Sequence, residues 1–279
     1  MMTVDDFGGN GLPLYFAHAN GYPPACYRPL LQRLSENYHV LALRQRPLWP
    51  DARPEEIKDW RPLAEDLSNF LAAQAEPVAC VGHSMGAVTA LRAALWHPEY
   101  FKAIVLLDPV LLPPEICLTW DLIYRLGLGY RLNPLVPAAL RRRQTFNSHI
   151  EMFESYRQKA IFRHFSDENL RALVEGLTRP SPDGTVTLAY PPKWEARIYV
   201  TAIRRDLELW CRLPRLQTPA LIIRGEQTDT FWERTARLVD RRAANIRILT
   251  LPACTHLLPM EKPQEVAQVI LDFLQQTGI

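Results

Sequence analysis

Glycine is scarce in this chain, 12 of 279 residues against 24 prolines, where ordinary usage is about 7% glycine and 5% proline. Collagen-like and flexible low-complexity classes are excluded, and with glycine so scarce the positions it does occupy are worth tracking. Cysteine is few and unpaired in pattern. Cys26, Cys80, Cys117, Cys211 and Cys254 are odd in number, with no C-x-x-C and no metal-ligand spacing, so a disulfide framework is not expected and no metal or other cofactor is called for. Charge of one sign is missing too: 32 Lys and Arg against 30 Asp and Glu leave +2, too little to make nucleic acid or an anionic membrane the default partner. No apolar run approaches the roughly 18 residues of a transmembrane segment, and Met1 to Asp6 lacks the basic and apolar stretches of a secretory signal. The expectation is a cytoplasmic protein.

What is present suits a large packed core. Hydrophobic residues make up 48% and charged residues 22%, ordinary values for a globular chain. Leu12 to Phe16, Tyr38 to Leu43, Val78 to Val81 and Ala103 to Leu107 are short apolar runs separated by amphipathic stretches over Tyr27 to Asn37 and Leu63 to Leu71. Runs without alternation suit parallel strands covered on both faces. The same rhythm returns with Ala220 to Arg224, Phe231 to Asp240, Ile246 to Leu251 and a last helix whose face is Val266, Val269, Ile270, Phe273 and Leu274. Between them, Val110 to Arg215 reads as Pro-bounded helical pattern, rich in basic and aromatic residues. The spacing predicts an α/β fold with a doubly wound, mostly parallel sheet. Its core spans 1–109 and 216–279, and a mainly helical insertion spans 110–215. Only 11 residues precede the first clear strand, so the sheet is expected to be trimmed at its N-terminal edge.

Gly82-His83-Ser84-Met85-Gly86 lies between the Val78 strand and an Ala-rich helix. A sharp strand-to-helix turn needs small residues two before and two after its centre, and Gly82 and Gly86 meet that need while lifting Ser84 clear of the sheet. A lone serine is a weak nucleophile, so a base must accompany it. Motif and position together resemble the α/β-hydrolase fold family over nearly the whole chain, in the lidded esterase, lipase and C–C hydrolase branch that carries a Gly-His-Ser-Met-Gly elbow.

The resemblance implies a triad in the order Ser, acid, His, and a lid over the site at 110–215. His256, in Leu251-Pro252-Ala253-Cys254-Thr255-His256-Leu257 between the last strand and the last helix, then is the base. His83 reads as structural, and His39, His97, His149 and His164 carry no motif. Two residues compete for the acid: Asp229, after the Ala220 strand, is favoured over Asp108, which ends the Ala103 strand, with Glu226 behind both. The elbow supplies the Met85 N–H to an oxyanion hole. His18-Ala19-Asn20-Gly21-Tyr22-Pro23 resembles the family's His-Gly-x-Pro loop and supplies the Asn20 N–H, although Ala19 departs from the usual glycine and the Asn20 side chain is an extra polar group. His18 braces that loop.

The implied activity is a serine carboxylesterase or lipase-like hydrolase acting through an acyl-enzyme on Ser84. The alternatives are a lactonase or C–C hydrolase with the same triad, or a hydrolase-like ligand-binding receptor. Relatives that open epoxides or displace halide carry Asp at the elbow, and Ser84 speaks against that chemistry. The substrate partner expected is a small-molecule ester with an apolar group, because 12 of the chain's 27 aromatic residues fall in 110–215, though such rings also build a lid's own core. Arg141-Arg142-Arg143 reads as a solvated basic face. Cys254 has no paired motif for thiol catalysis.

Overall fold

The apolar runs become six strands of a seven-stranded sheet, five of them inner and the Ile246–Leu251 run at one edge. The architecture comes from a computed structural model and is described for residues 3–279; Met1 and Met2, on which part of the leader reading rests, lie outside the described residues. The strands are β1 (Thr3–Asp6), β2 (Pro13–Ala17), β3 (His39–Arg44), β4 (Val78–His83), β5 (Phe101–Leu107), β6 (Thr145–Phe146), β7 (Thr178–Pro180), β8 (Val186–Leu188), β9 (Ala220–Gly225) and β10 (Ile246–Leu251). Their order in the main sheet is β1-β3-β2-β4-β5-β9-β10, with β1 antiparallel to β3 and the rest parallel. The front edge carries the single antiparallel strand Thr3–Asp6, which precedes the first strand expected from the sequence. It has one aliphatic residue, Val4, and is largely exposed, so it lacks the apolar signal of a buried strand.

Every residue of β4 and β9 is buried, and alternate residues feed two cores. Val81, Val105 and Ile223 pack beneath α1 (Arg28–Ser35) on one face. Cys80, Ile104 and Ile222 pack beneath α2 (Arg61–Leu71) and α3 (Met85–Trp96) on the other. Helices on both faces satisfy the continuous apolar character of the strands.

The chain between β5 and β9 holds α4 (Pro114–Arg125), α5 (Gly129–Leu132), α6 (Leu135–Leu140), α7 (His149–Arg157), α8 (Asp167–Leu177), α9 (Pro192–Thr201) and α10 (Leu207–Arg212), with a small antiparallel sheet in the order β6-β8-β7. The turn at Asp183-Gly184 before β8 is made by Gly184 at φ +84° and the Asp183 carboxylate accepting the Thr185 N–H at 3.0 Å. Both cores run on into this segment, one through Phe146, Met152 and Leu170, the other through Trp194, Ile198 and Trp210. Arg92 of α3, fully buried, closes the return by donating to Asp206 and Glu208. After β9 come α11 (Glu233–Asp240), α12 (Leu258–Glu261) and α13 (Pro263–Gln276). Among the described residues no helix is long and apolar enough to cross a membrane.

Candidate active site

The glycines of the elbow are where space runs out. A Cβ on Gly86 would sit 2.1 Å from the Ala17 carbonyl oxygen, and one on Gly82 would sit 2.5 Å from the Gly86 oxygen. Strand β4, helix α3 and the end of β2 therefore meet backbone to backbone, and Ser84 is held in the left-handed region at φ +56°. Its N–H donates to the Leu107 oxygen at 2.9 Å, which fixes the turn to β5 and leaves the hydroxyl facing the loops beyond the strand ends.

Ser84 Oγ lies 2.9 Å from His256 Nε2. On the other side of the ring, His256 Nδ1 is 2.7 Å from Asp108 Oδ2. Here the expectation for the acid is corrected: the carboxylate on His256 is that of Asp108, not Asp229. Asp108 is fully buried and takes a left-handed φ of +42° at the end of β5, which aims its side chain across to the β9 loop. The Gly225 N–H donates to its Oδ1 at 3.0 Å, and the Thr228 and Thr230 hydroxyls donate to Oδ2. Burial pushes the Asp108 carboxyl up, but hydrogen bonds from His256, Thr228 and Thr230 together with the His256 charge outweigh it and hold it below the ordinary carboxylate range. Asp229 projects instead into the cavity, and its backbone oxygen accepts the Trp232 indole N–H. Nor does it cap a helix: α11 begins at Glu233, with no side-chain cap. Glu226 accepts the Ala253 N–H and is also away from the ring.

The His256 loop is held from several sides. Gly225 permits it to close, since a Cβ there would lie 2.4 Å from the Thr255 oxygen. The buried Glu261 carboxylate takes the Thr255 N–H at 2.8 Å and its hydroxyl. His83 reaches the His256 carbonyl oxygen at 2.8 Å. Nothing in the sequence pattern singled out Thr228, Thr230 or Glu261; the hydroxyls flanking Asp229 were the available signal.

The loop after β2 lies beside the elbow. His18, fully buried, donates from Nδ1 to the Ala19 oxygen, and Gln45 donates to the His18 oxygen at 2.6 Å. The Asn20 side chain is engaged at both ends: its amide donates to the Glu195 oxygen at 3.1 Å and its oxygen accepts from Tyr190 at 2.9 Å. The backbone N–H groups of Asn20 and Met85 donate to no group among the described residues. Arg142 departs from the solvated face expected for its basic run. It lies beyond the end of α6, largely buried beside Gly21, and donates to Glu195 and Tyr156. His39, His97, His149 and His164 bond to Asp6, Glu99, Thr178 and Gln227, away from Ser84. Burial pushes the Cys254 thiol up to about 11, so it carries no thiolate at neutral pH.

Ser84 and His256 open into a cavity of about 730 Å³. Its walls come mostly from the segment after β5, with Ile116, Trp120, Ile123, Ile198 and Tyr199 prominent. Trp120 and Tyr199 are the only ones of the twelve aromatic residues in 110–215 that reach it; Tyr156, Phe162, Phe165 and Trp194 are core.

The chain and its fold have counterparts among known proteins. The model of the alpha/beta hydrolase family matches residues 14–269. Epoxide hydrolase A of Mycobacterium tuberculosis is 35% identical over an alignment covering all of this chain and 94% of that protein. The 2-(acetamidomethylene)succinate hydrolase of Mesorhizobium japonicum is 24% identical, with 98% and 91% covered. Among solved structures, an alpha/beta hydrolase from Novosphingobium aromaticivorans superposes with a TM-score of 0.76 at 18% identity over 98% of this chain and 93% of that one. A mostly parallel sheet, with an elbow serine and a histidine loop at its strand ends and a family match across nearly its full length, makes this chain a member of the α/β-hydrolase family and a hydrolase of that type.

Proposed function

We propose that the protein is a serine hydrolase that cleaves a carboxylic ester of a small, largely apolar substrate through an acyl-enzyme on Ser84, with residues 110–215 acting as the lid over the site. The observation that carries this reading is the unbroken line Ser84 Oγ, His256, Asp108, with links of 2.9 and 2.7 Å. His256 Nε2 takes the serine proton as Oγ attacks the carbonyl carbon, while Asp108 holds the ring in the Nδ1–H tautomer and offsets the charge that forms. The unpaired N–H groups of Asn20 and Met85 receive the oxyanion, each contributing about 3 kcal/mol of transition-state stabilisation. His256 then protonates the leaving alcohol, and water activated by the same ring releases the acid.

Epoxide opening, which the name of one relative carries, fits Ser84 poorly. A serine oxygen attacking an epoxide carbon would leave an ether on the enzyme, and a histidine-activated water has no carbonyl there to attack. The apolar cavity supports an acyl or alcohol group of hydrocarbon character. Mass spectrometry after a fluorophosphonate probe tests the nucleophile: a single adduct on Ser84 is expected, and unlabelled Ser84 in folded protein sinks the enzyme reading in favour of a ligand-binding receptor. Esters of graded acyl length, lactones, a vinylogous diketone and an acetamidomethylene succinate, each compared with Ser84→Ala, separate esterase from lactonase, C–C hydrolase and amide-cleaving activity. Ester hydrolysis surviving in Ser84→Ala overturns the assignment.

A further inference from the structure

We propose that His83 is a positioning residue that ties the base loop to the oxyanion loop, so that its ring sets where His256 stands relative to Ser84. The proposal rests on the reading of Ser84, His256 and Asn20 given above. His83 is fully buried and immediately precedes the nucleophile. Its Nε2 is 2.8 Å from the His256 carbonyl oxygen. A carbonyl has no proton to give, so Nε2 must carry the hydrogen. Nδ1 is then bare and accepts from the Tyr27 hydroxyl at 2.7 Å. That hydroxyl, having spent its proton on His83, accepts the Ala19 N–H at 3.1 Å. Ala19 adjoins Asn20, so one chain of bonds runs from the oxyanion loop through Tyr27 and His83 to the backbone of His256, with a single tautomer consistent with all three links.

Position gives this chain its role. The His256 loop leaves β10 at Leu251 and has no strand ladder beyond it. Beside Asp108, which holds the His256 ring, two buried side chains anchor the backbone of the loop, Glu261 on Thr255 and His83 on His256 itself, and of these two only His83 ties that backbone to the elbow and to the Ala19 loop. The two imidazoles lie 4.9 Å apart between centroids, tilted by 37°, so the His83 ring is also a wall for the base. Burial holds His83 neutral, its ordinary value lowered to about 3; the bond pattern therefore persists across the working range of a histidine base.

Two amides separate positioning from packing. The glutamine amide reaches about as far as Nε2, so His83→Gln keeps a donor for the His256 oxygen. The asparagine amide reaches only the position of Nδ1, so His83→Asn keeps the Tyr27 link and abandons His256. On a soluble ester, His83→Asn is expected to lower kcat about a hundredfold, the scale of a displacement near 1 Å, with KM changed less than about threefold, while His83→Gln recovers most of the loss. Equal loss in both, or wild-type kcat in His83→Asn, overturns the proposal. Tyr27→Phe, which keeps the ring and removes only the hydroxyl, covers the case in which His83→Asn does not fold; it should lower kcat about tenfold at unchanged KM, and wild-type kcat refutes the link.

The low-field proton resonance of His256 Nδ1–H gives a readout that needs no substrate. It should move in His83→Asn and stay in His83→Gln. A resonance identical in all three proteins sinks the positioning role whatever the substrate is. A resonance that moves as expected in a protein whose Ser84 resists fluorophosphonate retains the His83 link and rejects the ester reading.

Discussion

Asp108 and Gly225 stand at the C-terminal ends of neighbouring parallel strands, and the Asp108 carboxylate accepts the Gly225 N–H at 3.0 Å. That bond turns the carboxylate along the loop of Thr228 and Thr230 and presents its second oxygen to His256. The same loop leaves Asp229 at the cavity wall, free of the ring.

Side-by-side substitution of the two acids follows from this geometry. Asp108→Asn should lower kcat by about 10⁴-fold, because an amide no longer selects the Nδ1–H tautomer. Asp229→Asn should leave kcat within a few-fold. Steady-state kinetics on one ester measures both, and equal losses refute the place given to Asp108.

Gly86 lies in a helix, where alanine ordinarily gains about 1 kcal/mol over glycine. Here the added methyl would strike the Ala17 carbonyl, and backbone cannot step aside as a side chain can. Gly86→Ala should therefore lower the unfolding free energy by about 3 kcal/mol or more and abolish Ser84 labelling. Urea denaturation reads the first effect; a gain in stability contradicts the close approach.

Two histidines make stability fall in mild acid. Burial lowers His18 to about 4 and His83 to about 3, from an ordinary 6.5. Between those values the unfolded chain binds protons that the folded chain refuses, so the stabilising contribution is present above pH 6.5 and is lost as pH falls. Each group contributes a slope of about 1.4 kcal/mol per pH unit. Unfolding free energies from pH 6.5 to 4.5 should drop steeply, and the slope in His83→Gln should be shallower by one such increment. An unchanged slope means His83 is not buried and neutral.

Trp120 forms cavity wall and is held by its indole N–H on the Val200 oxygen at 3.1 Å. Trp120→Ala should cost more in kcat/KM on longer acyl esters than on acetates, by about tenfold, the scale of one or two methylene contacts. An equal loss along the series removes Trp120 from substrate recognition.

The strands and the elbow were readable because their signals are local. Apolar runs name buried parallel strands to within two residues, and Gly82 and Gly86 are fixed by contacts only glycine permits. The acid was not readable in the same way. Asp108 and Asp229 both follow strand ends on one side of the sheet, and the choice between them depends on the left-handed turn at Asp108 and on hydroxyls arriving from another strand. Strand β1 escaped notice for a different reason: an exposed edge strand buries nothing, so its sequence, Thr-Val-Asp-Asp, has no pattern to show. The run Arg141 to Arg143 read as one surface, yet Arg142 turns inward to Glu195, a distinction that only tertiary packing makes.

The order of strands across the sheet has one more consequence. The Asn20 loop follows β2, Ser84 follows β4, Asp108 β5, its hydroxyl partners β9 and His256 β10, and β2, β4, β5, β9 and β10 are consecutive neighbours. The line Ser84–His256–Asp108 is therefore calibrated by the ladder: Leu107 pairs with Ile223, and the Asp108 N–H bonds to the same residue. A slip of one residue between β5 and β9 would carry Asp108 about 3.3 Å along the strand and turn it to the opposite face. Sheet register is thus a setting of the enzyme as well as of its fold, and a substitution deep in β5, far from any substrate, can silence Ser84 in a molecule that is still folded.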